Sequence, residues 1–130
     1  MTLVVDASAA TALCLTADGF DLVADDLIAP VLLRSEVLSA IRGLEWRKDI
    51  SNDLANLAVE RLLDDPVRLV SRKEVWAEAR HLAVRLGWAK TYDAEYVALA
   101  RLEGQPLLTL DARLARRVET LVEIRFPLGG

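Results

Sequence analysis

Four acidic residues, Asp6, Glu36, Asp93 and Asp111, stand where the chain changes between an extended and a helical pattern. Carboxylates brought about 4 Å apart repel by roughly 4 kcal/mol per pair at an effective dielectric of about 20, a large share of a domain's stability. Such a group persists by protonating, by pairing with cations or by binding a metal. The donors are all oxygen, with no His or Cys beside them, and the single His81 lies inside a helical stretch where it reads as structural. That set suits a hard ion, Mg²⁺ or Mn²⁺, rather than zinc. A carboxylate-held Mg²⁺ that keeps its waters suits phosphate chemistry, because it lowers the pKa of a bound water and neutralises oxygens on which charge builds. Taken singly, each Asp also fits a helix cap or turn, and Glu36 a half-exposed helix acid.

The elements must bring these positions together. Thr2-Leu-Val-Val-Asp6 reads as a strand running straight into a helix over 7–15, which leaves Asp6 at the strand's C-terminal end. Ser8 then sits near the helix N-terminus, where hydroxyls cap free amides. Residues 18–26 are polar and acidic and read as a short helix or loop. Leu27-Ile-Ala-Pro30 predicts a second strand, and 31–48 a long helix with Leu33, Val37, Ala40, Ile41 and Leu44 as its apolar stripe. Glu36 lies at the edge of that stripe, beside Leu32 and Ala40 and near Ser39.

Downstream, Ser51 opens an amphipathic helix to Leu63, 67–70 predicts a third strand, and 72–86 a helix closed by Gly87. Thr91 to Glu103 predicts a helix with Tyr96, Leu99 and Leu102 in apolar spacing, stopped at Gly104. Pro106-Leu-Leu-Thr-Leu110 predicts a strand buried on both faces, followed by Asp111, a basic helix over 112–118 and a last strand over 121–124. Alternating short strands and helices predict a three-layer α/β/α fold with a mainly parallel central sheet of about five short strands. In that fold a helix feeding a parallel strand starts at the rim where strands end, so all four acids belong to one rim. Nothing in the sequence forces their side chains into contact.

Length and composition set the bounds. The 130 residues, 53% hydrophobic, read as one domain over 1–130 with a real core. A net charge of −4 provides no global basic field for a polyanion, so a metal or a local basic rim must hold one. Arg34, Lys90, Arg113, Arg116 and Arg117 are candidates to grip flanking phosphates, and each equally fits a solvated helix face. Cys14 is the only cysteine, which suits a reducing compartment. With no basic leader and no apolar run near about 18 residues, the chain reads as cytoplasmic, with no membrane partner. Trp46, Trp76 and Trp88 could stack on bases but fit core or interface positions better, with Trp46 and the helices over 31–63 the first candidates for partner contact.

Four segments resemble the PIN-domain ribonucleases, and within them the VapC-type toxins of toxin–antitoxin pairs: Val4-Val-Asp-Ala-Ser8, Ala29-Pro-Val-Leu-Leu-Arg-Ser-Glu-Val37, Tyr92-Asp-Ala-Glu-Tyr-Val-Ala-Leu-Ala100 and Leu107-Leu-Thr-Leu-Asp-Ala-Arg-Leu114. They match in order and spacing over essentially the whole chain. The resemblance implies a Mg²⁺-dependent endoribonuclease, with Mn²⁺ able to substitute, whose catalytic and metal-binding acids are Asp6, Glu36, Asp93 and Asp111. It implies that Ser8 and Thr109 orient carboxylates or water. Ser39 stands where many relatives carry Asn, which alters a polar contact near the metal. It also implies an RNA substrate, a homodimer and a cognate VapB-type antitoxin. Two other readings stay open: a catalytically silent PIN-like protein-binding module, and a receiver-like phosphoryl-transfer domain. The second wants an acceptor Asp after a middle strand, and the strand over 67–70 is followed by Ser71-Arg-Lys73 instead.

Overall fold

Leu3, Val4 and Val5 form an apolar run buried on both faces, and they make β1 (Thr2–Val5) the centre of the sheet. The computed structural model describes residues 1–127. After β1 come α1 (Ala7–Leu15), a 3₁₀ turn (Phe20–Leu22), β2 (Asp26–Pro30), α2 (Leu33–Trp46), α3 (Asn52–Leu63) and β3 (Arg68–Val70). The second half adds α4 (Lys73–Leu86), α5 (Tyr92–Glu103), β4 (Leu107–Leu108), α6 (Ala112–Val118) and β5 (Ile124–Arg125). All pairings are parallel and the strand order is β3-β2-β1-β4-β5. α1, α2 and α3 pack on one another while α4 packs on α5, which makes the three layers. Among the described residues no helix is long and apolar enough to cross a membrane.

Local chemistry sets most boundaries. The Ser51 hydroxyl accepts from Leu54 N at 3.0 Å and starts α3. Gly87 (φ 72°) and Gly104 (φ 64°) end α4 and α5 in the left-handed conformation that glycine adopts without strain. Two strands differ from expectation. Ladder bonds around β4 run from Pro106 O, which accepts from Val4 N, to Thr109 N, but Leu110 is exposed rather than buried. β5 starts at Ile124 rather than 121, because Leu121 N and Val122 N are taken by Val118 O in the turn that closes α6.

α5 also departs from a one-faced helix. Every residue from Ala94 to Ala100 is buried, whereas Leu102 is exposed. Alanines at 94, 98 and 100 let this helix lie against the sheet and α4 at once, so burial surrounds it. The core reading of the tryptophans fails for Trp46, 74% exposed, and Trp76, 53% exposed. His81 is exposed on α4.

Candidate active site

The chain leaves β1 toward β2 and β3, then crosses back over the sheet to β4 and β5. The C-terminal ends of β1 and β4 therefore flank the point where the winding reverses, which is where open parallel sheets leave a crevice for ligands. Asp6 directly follows β1, and Thr109-Leu110-Asp111 follows β4.

Asp6 is 4% exposed, and every hydrogen bond it makes serves two purposes. Its Oδ1 accepts from Ala9 N at 3.0 Å, capping α1, and from Ser8 Oγ at 2.7 Å. Its Oδ2 accepts from Thr109 Oγ1 at 2.5 Å, joining two segments about a hundred residues apart in sequence. The Ser8 hydroxyl also accepts from Leu110 N at 3.0 Å, and Thr109 Oγ1 accepts from Asp111 N at 2.9 Å. The two loops are thus stitched together around one carboxylate. Burial pushes the Asp6 carboxyl above its usual range, the bonds from Thr109, Ala9 and Ser8 oppose the rise, and the charge of Asp93 adds to it.

The other acids are held differently. Asp111 caps α6, its Oδ1 accepting from Arg113 N at 3.0 Å and Leu114 N at 3.1 Å. Glu36, in the first turn of α2, accepts through Oε1 from Tyr96 Oη at 2.5 Å. Burial raises the Glu36 carboxyl, Tyr96 opposes, and the charges of Asp93 and Asp6 raise it further. Burial and the Glu36 acceptor push the Tyr96 phenol far above its ordinary value, so it remains a proton donor. Asp93, in the first turn of α5, is raised by burial and then by Asp111.

These mutual influences link all four predicted acids along one rim. They do not form a finished cage: among the described residues no three His, Cys, Asp or Glu side chains are gathered to hold an ion. Asp6 and Asp111 each commit Oδ1 to helix amides.

Two residues were missed in the sequence. Tyr96 was read only as part of an apolar spacing, yet a tyrosine in a wholly buried helix must find a partner for its hydroxyl. Glu95, 9% exposed, has its carboxyl raised by burial, opposed by the nearby Trp76 side chain and raised further by Glu36. Nothing in the sequence distinguished it from a solvated helix acid.

The remaining candidates separate into clear groups. Ser39 is exposed and its side chain makes no hydrogen bond among the described residues. Arg34 is bound by Asp65 at 2.7 Å and lines a cleft of about 670 Å³ with Asp25, Asp26 and Arg68, a space that includes none of the four acids. Lys90 is exposed. Arg113, Arg116 and Arg117 instead wall a cleft of about 420 Å³ together with Trp88, Asp93 and Asp111.

A family model described as "PIN domain" matches residues 3–119. The chain belongs to the PIN-domain family. This PIN domain is 37% identical over 119 residues to Ribonuclease VapC12 of Mycobacterium tuberculosis, covering 88% of this chain and 90% of that protein. It is 35% identical over 130 residues to Ribonuclease VapC3 of Pyrobaculum aerophilum, covering 94% and 98%. The crystal structure of PAE2754 from Pyrobaculum aerophilum matches with a TM-score of 0.70 at 26% identity, covering 93% of this chain and 95% of that one. These likenesses group this PIN domain with the VapC-type proteins and agree with its α/β/α layers.

Proposed function

We propose that this PIN domain is a Mg²⁺-dependent endoribonuclease toxin that hydrolyses RNA phosphodiesters at the acidic rim and is neutralised by a cognate VapB-type antitoxin. The observation that carries the reading is Asp6: a nearly buried carboxylate at the sheet's switch point, held by Ser8, Ala9 and Thr109 and raised further by the charge of Asp93. Capping α1 and joining two loops needs no charge so deeply desolvated, so a functional use is the economical explanation. The ribonuclease names of VapC12 and VapC3 support the same class of substrate. A cytoplasmic homodimer completes the proposal.

The donor set fits a hard divalent cation. Asp6, Glu36, Asp93 and Asp111 would hold it, through oxygens that include Asp111 Oδ2, which carries no hydrogen bond among the described residues. Mn²⁺ fits the same oxygens. When bound, the ion would polarise an attacking water and offset charge on the phosphate oxygens. The chain's own contributions are orientation and proton transfer. Ser8 and Thr109 hold both oxygens of the Asp6 carboxylate, and Tyr96 holds one oxygen of Glu36. Glu36, whose carboxyl is raised by burial, is a stronger proton acceptor than an ordinary carboxylate and would take the water's proton at Oε2 and return it to the departing 3′-oxygen. Water adds to phosphorus and the bond to the 3′-oxygen breaks, leaving a 5′-phosphate and a 3′-hydroxyl.

Purified protein incubated with end-labelled RNA tests the proposal: cleavage should need Mg²⁺ or Mn²⁺ and vanish in Asp6→Asn. Full cleavage in excess EDTA sinks it. A second reading, the silent protein-binding module, is favoured by the open arrangement of the acids. A melting curve separates the two, since a metal at about 100 times its Kd stabilises by about 2.7 kcal/mol, whereas a silent module shows no shift at millimolar metal.

A further inference from the structure

Among the described residues some arginines pair with a carboxylate, and others, Arg61, Arg68, Arg80 and Arg85 among them, do not. Arg34, Arg42, Arg47, Arg72, Arg101 and Arg125 each pair with a carboxylate. Arg113, Arg116 and Arg117 have no such partner among the described residues, although they lie beside the acidic rim of a chain whose net charge is −4. Three guanidiniums thus line one cleft without a direct ion pair, beside two carboxylates, Asp93 and Asp111, that a divalent cation would engage. Arg117 is further ordered: it donates to Leu86 O at 2.8 Å, and its guanidinium lies 5.5 Å from the centre of the Trp88 ring. A flat cation fixed on an indole is a stacking surface for an unpaired base, and Arg113 and Arg116, both exposed, are positioned for a backbone phosphate. The same 420 Å³ space is lined by Asp93 and Asp111.

We propose that this cleft is the subsite for the nucleotide next to the scissile phosphate of single-stranded RNA, with Arg113 and Arg116 on its phosphates and Arg117, backed by Trp88, under its base. The proposal rests on the ribonuclease reading and specifies where the strand lies. Single strands are favoured over duplex because a base must leave its stack to reach Arg117. An acidic protein segment would also meet the arginines, but would make no use of the Arg117–Trp88 contact.

The test is anisotropy of a fluorescein-labelled heptauridylate with the Asp6→Asn protein in EDTA, across 50–400 mM KCl, so that binding is read without cleavage. Replacing Arg113 and Arg116 with Gln together should weaken binding about 25-fold at 0.1 M salt and reduce the slope of log Kd against log salt by about 1.4, at about 0.7 per phosphate. Lys at both positions should restore the slope, and melting temperatures should agree among all three proteins. No binding by the parent, an unchanged slope in the Gln pair, or no rescue by Lys overturns the subsite. A Gln pair that keeps RNA affinity but loses a co-purifying protein partner also overturns it, assigning the cleft to protein contact. Cleavage by wild type in Mg²⁺ is scored separately, so RNA that is bound with the expected slope but never cut counts against the ribonuclease reading alone.

Discussion

Asp6 and Asp93 occupy the same rim in opposite mechanical states. Asp6 is buried at the seam between β1 and β4 and takes hydrogen bonds from three residues, whereas Asp93, at the start of α5 with its residue open to solvent and its carboxyl partly desolvated, takes none among the described residues. Glu36 lies between these extremes, with one bond from Tyr96. The seam is rigid because two distant loops share one carboxylate; the helix side is held mainly by backbone. Half of the rim is therefore set in advance, and the other half is free to adjust to charge brought into it.

The largest effect should come from the rigid half. Asp6→Asn should lower RNA cleavage by about 10³-fold, in line with losing a principal electrostatic group, with no fall in melting temperature. Asn still caps α1, and removing a desolvated charge offsets the changed bonds. A collapse in stability would instead make Asp6 a structural cap. Thr109→Val takes away both the bond to Asp6 and the acceptor for Asp111 N, so it should cost about 1–3 kcal/mol in urea unfolding and about 10–100-fold in activity. Tyr96→Phe, on the adjustable side, should cost about 1 kcal/mol and about 10-fold in cleavage. If it equals Thr109→Val, the contrast between the two halves is wrong.

Acidity offers a smaller, global check. Asp6, Glu36, Asp93 and Glu95 all have carboxyls raised in the folded state, so the folded protein binds protons more tightly than the unfolded chain. Their contribution to stability is full below the ordinary carboxylate pKa of about 4 and is lost as pH rises through the raised values. In EDTA the melting temperature should therefore fall as pH climbs above about 4, and the fall should shrink in Asp6→Asn. A melting temperature that rises over that range through these groups would reverse the sign. Ser39→Ala, exposed and without a side-chain hydrogen bond, should change neither cleavage nor melting.

Sequence patterns carried much of this. The apolar run before Asp6, the Ser51 cap, Gly87 and Gly104 each act within a few residues, so α1, α3, α4 and α5 were legible with nearly their observed limits. The short strands were less so: β4 and β5 end where distant partners stop offering hydrogen bonds, which no local signal encodes. Glu95 stayed hidden because a helix buried on all sides has no polar face to betray it.

Residue order alone determined that four acids fall at one end of a parallel sheet, because alternation of strand and helix leaves each such position the same rim. Only the tertiary structure decided how they stand there: which carboxylate is clasped by Ser8 and Thr109, which is bonded by Tyr96, and which arginines lack an acid partner. Local periodicity places a residue on an element, but the contact between two loops a hundred residues apart depends on how the whole chain packs, and packing is what tunes a charge.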